Sequence, residues 1–217
     1  MEGRLLATGE QLQTPHGGVV TKRLTFRFGD GSIDDETTTF ADAPNIRLLT
    51  YNHVQKGPSF THPLELMIDA RTGHVTRREL NGSAERHTED LTMALPEDLS
   101  NGLLTNVVEN VASPALPLTV SYLAATPKLR LVDLVISSGG VERFSDGTAA
   151  HEARHYVVDV HIGGLEGVMA SAFRRNLPRS HIWISTGVPA FLRAEAPLDP
   201  DGPMWRIDLT EPRPPDR

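Results

Sequence analysis

From Val20 to Phe28 the chain alternates: Leu24, Phe26 and Phe28 fall on one side, Arg23, Thr25 and Arg27 on the other. A period of two is the mark of a strand with one buried face. Gly29-Asp30-Gly31-Ser32 predicts a tight turn, and Ile33 to Phe40 a threonine-rich return strand. Further strands are predicted at Ile46–Gln55, Leu64–Asp69, His74–Leu80 and Ala84–Leu91, the last two joined by Asn81-Gly82, a strong hairpin signal. The rhythm then changes. Leu99, Leu103, Val107 and Val111 recur every four residues behind Pro96-Glu97-Asp98, which predicts a helix over 96–112. A second β half follows, with strands at Leu118–Ala125, Leu129–Ser137, around His151–Ile162, Ser180–Thr186, Ala190–Ala196 and Met204–Leu209. Ser138-Gly139-Gly140 reads as a turn, 164–177 as a second short helix, and the proline-rich 211–217 as a flexible tail.

These elements predict a mainly β fold, a curved antiparallel sheet or open barrel wrapped around one central helix. Neither half alone has enough apolar partners for the helix, so the expectation is a single domain over 1–217. Its parts are a β half at 1–95, the helix at 96–112 and a β half at 113–210.

Composition narrows the function classes. The 217 residues carry a formal charge of −7, with no basic stripe, so a nucleic-acid partner is not expected. Cysteine is absent, which removes disulfides, thiolate metal sites and cysteine nucleophiles. No apolar run approaches a membrane span, so no integral membrane segment is expected. Met1-Glu2-Gly3-Arg4 lacks a following apolar core, and no signal peptide is expected. No serine-hydrolase elbow, phosphate loop or dinucleotide fingerprint occurs.

The sharpest motif is His151-Glu152-Ala153-Arg154-His155, with His161 six residues on. On a helix it would place two imidazoles on one face for zinc, with His161 as third ligand and Glu152 as general base. The residues after it, Tyr156 to Ile162, are β-branched and alternating, which predicts a strand instead. In a strand at ~3.3 Å per residue, His155 and His161 stand roughly 20 Å apart. His155 is therefore expected to matter more than His151.

Nine histidines occur in all. Tyr51 and His53 share one predicted strand face; His155, Val157, Asp159 and His161 share another; His181 and Trp183 share a third. If such strands converge, His53, His155 and His181 form a three-imidazole metal site. Lys56, one of three lysines, leads into the stiff loop Gly57–Pro63. A ligand pocket is expected at one rim of the sheet, built from Tyr51, His53, Lys56 and Trp183 near His155 and His181.

The order of features resembles a group of uncharacterised bacterial secreted β-rich proteins of unknown function. The features are a strand-rich first half, a Leu-Pro-x-Asp-Leu helix, His155-Tyr156-Val157-Val158, and the late His181-Ile182-Trp183-Ile184. That group is similar in architecture to lipoprotein-carrier and calycin-like folds. The resemblance spans about residues 18–209. It implies a periplasmic or secreted protein with an apolar, lipid-like ligand, and it supplies no catalytic residues. It also implies a strand around His155, with His151-Glu152 outside the shared pattern. Without a leader, a cytoplasmic location is the alternative. The expected function is binding or carrying an apolar small molecule or lipid without a cofactor. The alternative is a metal-dependent hydrolase using zinc or another divalent metal.

Overall fold

A computed structural model of the chain describes residues 4–42, 45–81, 84–126, 128–145, 150–162, 178–187, 190–197 and 202–210. The segments expected to be a second helix, 164–177, and a flexible tail, 211–217, lie outside the described residues. The regular elements are almost all strands, paired antiparallel into one seven-stranded and one six-stranded sheet. Packing divides the chain into two units: Met1–Leu103 with Ala125–Leu129, and Leu104–Ala124 with Arg130–Arg217.

The first unit is a meander of β1 (Ala7–His16), β2 (Val19–Phe28), β3 (Ile33–Ala41), β4 (Arg47–Lys56), β5 (Leu64–Asp69), β6 (His74–Asn81) and β7 (Ala84–Thr92). Each strand pairs with its neighbour in sequence, and among the described residues β1 and β7 are edges, so this sheet is open. Alternation predicts all of these strands except β1. That strand is exposed almost throughout, so no apolar period marks it. The buried face carries Val20, Phe26 and Phe28 of β2, Phe40 of β3, Leu48 and Tyr51 of β4, and Leu64, Leu66 and Ile68 of β5.

Leu99 and Leu103 are buried in the same unit, and between them Gly102 lies against the sheet. A Cβ on Gly102 would sit 2.0 Å from Thr38 Oγ1 and 2.9 Å from the Tyr51 ring. Its φ is +70°, which only glycine adopts freely. The helix expected over 96–112 is accordingly shorter. It is α1, Leu104–Asn110, because a residue at that φ ends any right-handed helix.

The second unit contains α1 and strands β8 (Leu118–Ala124), β9 (Arg130–Ser145), β10 (Ala150–His161), β11 (Ser180–Ser185), β12 (Phe191–Pro197) and β13 (Met204–Asp208). The sheet order is β13-β12-β11-β10-β9-β8. Val108 of α1 joins Val120, Leu134, Ile136, Tyr156, Val158 and Ile184 in one buried cluster. Each such aliphatic side chain stabilises the fold by about 1.5–3 kcal/mol relative to exposure.

The turn expected at Ser138-Gly139-Gly140 is not a turn. It lies inside β9 as a bulge. Gly140 stands opposite His155 and Ser138 opposite Tyr156, so Gly139 has no partner across the ladder. Gly140 has φ +96°. Adjacent glycines suit a bulge and a turn equally, and only the continued pairing from Val141 to Ser145 distinguishes them. Among the described residues no helix is long and apolar enough to cross a membrane.

Candidate functional site

The ladder between β10 and β11 pairs His155 with Trp183 and Val157 with His181. Residues paired or two apart share a face, so two faces that look separate in sequence are one. The His155 ring lies flat on Trp183, with centroids 4.5 Å apart and planes 4° apart. His181 stacks beside it, 5.1 Å from His155.

Glu142, on β9 beyond the bulge, fixes this cluster. Its Oε1 lies 2.9 Å from His155 Nδ1, and its Oε2 accepts a 2.9 Å bond from Trp183 Nε1. His155 Nε2 lies 2.8 Å from His181 Nδ1. Proton roles follow from donor and acceptor capacity. An ionised carboxylate only accepts, so His155 donates its Nδ1–H to Glu142. In neutral His155 the Nε2 then accepts, His181 donates from Nδ1, and His181 Nε2 is left with a lone pair. A carboxylate–imidazole–imidazole chain therefore links Glu142 to His181 Nε2.

The bulge makes room for this. A Cβ on Gly139 would lie 2.4 Å from His155 Nδ1 and 2.7 Å from its Cγ, so any side chain there displaces the ring. Bulges often re-aim side chains beside functional sites.

The neighbouring residues of β10, Arg154 and Tyr156, point to the other face. Tyr156 is 2% exposed. Among the described residues its OH and the Nε of Arg154 are buried with no hydrogen-bond partner. An unsatisfied buried group of this kind costs about 1–3 kcal/mol. Both residues line a recess of about 100 Å³. Ser138, Gly140 and Val141 of β9 line it too, with His155 and, from the segment before β8, Leu116.

The other expected residues lie elsewhere. His53 and Tyr51 are on the buried face of the first unit, their rings 5.9 Å apart. His53 Nε2 bonds Asp34 Oδ1 at 2.9 Å, and Gln55 donates to Asp34 Oδ2 at 2.8 Å. Tyr51 donates to Glu36 Oε2 at 3.0 Å. Burial works to lower the His53 pKa, but the Asp34 bond and charge, with Glu36 and Asp35 behind them, outweigh it and hold the imidazole above its ordinary value. Lys56 is exposed at the end of β4. Alternation sends it to the face opposite Tyr51 and His53, so these three do not form one pocket wall. The strands thus bring His155, His181 and Trp183 together, whereas His53 belongs to the other unit and to Asp34.

The His151-Glu152-His155 segment lies in β10, a strand, so the helical face that the zinc motif needs is not formed. Glu152 is exposed on the face opposite His155. Between His155 and His161 the pairing with β9 shifts only at the bulge, which leaves the two about 20 Å apart in extended chain. Among the described residues no three His, Asp or Glu side chains are grouped to hold a metal ion.

Three residues in this site escape the sequence reading: Glu142, Arg154 and Tyr156. Arg154 sits inside the H-E-x-x-H segment, where attention goes to the histidines. The signal for Glu142 is its place beyond a glycine pair, and it becomes visible only once the pair is recognised as a bulge. No known protein family, curated protein or solved structure matches the chain.

Proposed function

We propose that the chain binds a small, largely apolar molecule beside the β9–β10 bulge of its second unit. The observation that carries this reading is the recess at the bulge, where Arg154, Ser138 and Tyr156 lie beside the apolar Leu116 and Val141. On the opposite face of the same strands, the stacked His155–Trp183 pair and the Glu142 bonds brace the β9–β10 bulge. A recess of about 100 Å³ is small beside the roughly 300–1,000 Å³ of pockets for drug-sized ligands. It suits one end of a lipid-like molecule, with the rest along neighbouring surface.

The proposal includes the lipoprotein-carrier-like or calycin-like architecture of a curved sheet about a helix, and a periplasmic or secreted location. It needs no cofactor. Trp183 is the natural reporter. In a Trp205→Phe background, titration with sodium octanoate is expected to change Trp183 emission saturably. A flat response over the soluble range, in protein that melts normally, contradicts the reading.

A second reading is a hydrolase. The observation favouring it is the chain from Glu142 through His155 to His181 Nε2, since a carboxylate-oriented imidazole is the usual general base. In the metal-dependent form, zinc or another divalent ion would take its ligands from the strand-borne histidines. A panel of activated esters assayed with and without added zinc tests it. Turnover that disappears in His181→Ala supports the hydrolase, and no turnover in either condition removes it.

A further inference from the structure

We infer that His155 of β10 and His181 of β11 form an acid-operated contact, closed while the pair carries at most one extra proton and opened by the second. The contact is independent of any ligand in the recess. Its basis is where the ring nitrogens stand. Glu142 Oε1 lies 2.9 Å from His155 Nδ1, which fixes a proton there, since an ionised carboxylate only accepts. His155 Nε2 lies 2.8 Å from His181 Nδ1, a hydrogen-bond separation with room for one hydrogen. In the neutral pair that hydrogen sits on His181. A first extra proton takes the outer nitrogen, His181 Nε2, and leaves the inner bond in place. A charged donor strengthens that bond. A second extra proton has only His155 Nε2 to go to. Two N–H donors then face each other, and imidazolium nitrogens cannot accept. Two positive rings also lie 5.1 Å apart.

The ring that yields is His181. His155 lies flat on Trp183, and its Nδ1 is so near Gly139 that a Cβ there would approach it to 2.4 Å. Turning His155 over would also take Nδ1 off Glu142. His181 is half-buried and is tied to this stack by the inner bond that the second proton removes. The charges around the pair follow from the register, among the described residues. From β9 comes Glu142, which also accepts from Trp183 Nε1. On β10, Asp159 and His161 continue the face of His155 and Val157, and Asp159 accepts from Arg179. On β12, Arg193 stands opposite Trp183 and Glu195 opposite His181. On β13, Asp208 stands opposite Arg193 and Arg206 opposite Glu195, and Asp208 pairs with both arginines. Glu195 is therefore the carboxylate across the ladder from His181 when the contact opens.

Nitrogen-15 NMR of the full chain tests this, because an N–H···N bond is seen as scalar coupling between its two nitrogens. The side chains are followed from about pH 8 to about pH 4.5, either side of the ordinary imidazole value of about 6.5. The backbone amide spectrum marks the range over which the protein stays folded. Coupling between His155 Nε2 and His181 Nδ1 is expected at the alkaline end. It is expected to vanish where both rings have become doubly protonated, while the ring protons of His181 lose the shielding of the stack, and to return on neutralisation. Absence of the coupling at the alkaline end overturns the inference, since the pair is then not joined. Coupling that survives to the acid limit of the folded protein overturns it too. So do two doubly protonated rings with His181 still shielded, because the contact has then stayed closed.

Discussion

His53 shows how one residue ties burial to pH. Its imidazole is nearly enclosed and bonded to Asp34, and its pKa lies above the ordinary 6.5. A group whose folded pKa is raised stabilises the fold fully below its unfolded pKa and loses that contribution as pH rises through the folded value. Stability should therefore fall as pH climbs from below 6.5 into the alkaline side, and His53→Gln should flatten that slope. Urea melts across this range check it, and an unchanged slope in the variant contradicts the assignment. Glu152 makes the opposite point. It is exposed and opposite His155, so Glu152→Ala should leave ester hydrolysis and bound zinc as they are in the parent protein. A loss of several orders of magnitude in a folded variant would bring the zinc motif back. At this scale the sequence is legible where alternation governs. It separates Asp34 and Glu36 from Asp35, and the register agrees: Asp34 and Glu36 bond His53 and Tyr51, while Asp35 bonds Arg23 and Thr25. It joins Lys56 to His53 only by nearness in sequence, and nearness across an odd step means opposite faces.

Among the elements, β9 holds the most information about the site. Its Gly139-Gly140 step reads as a turn because both conformations need the same freedom of backbone, and the distinction lies in the partners that Val141 to Ser145 take on β10. Strand pairing also decides that His155 and His181 meet, which no local pattern specifies. Gly139→Ala should cost roughly 1–3 kcal/mol, as overpacking does, because its Cβ would fall 2.4 Å from His155 Nδ1. It should also shift Trp183 emission by moving the ring stacked on the indole. Gly140→Ala meets no atom within 4 Å but retains the strain of φ +96°. It should destabilise without moving His155. Equal emission changes in both variants would contradict the steric role given to Gly139. The helix was half legible for a related reason. The four-residue spacing from Leu99 to Val111 is real, yet Gly102 splits it, with Leu99 and Leu103 in the first unit and α1 in the second.

For the whole molecule, alternation correctly indicates a mainly antiparallel β chain, and the two-sheet division depends on long-range pairing that alternation does not encode. The chain does not divide by a single cut. Ala125–Leu129, the loop between β8 and β9, belongs with the first unit, where the buried Arg77 donates to the Ala125 carbonyl at 2.5 Å and pairs with Glu79 and Glu89. Residues 1–103 expressed alone would leave that guanidinium without the carbonyl. The single-domain expectation is that neither 1–95 nor 113–217 melts cooperatively by itself, and a cooperative melt of either fragment would contradict it. The central claim concerns the second unit, and its most direct test is to map a ligand by amide NMR. Titration of labelled full-length chain with sodium octanoate should move the signals of Gly139, Gly140, Arg154, His155 and Tyr156 along one saturation curve. Shifts confined to other residues, or no saturable shift at all, would contradict a ligand site at the bulge.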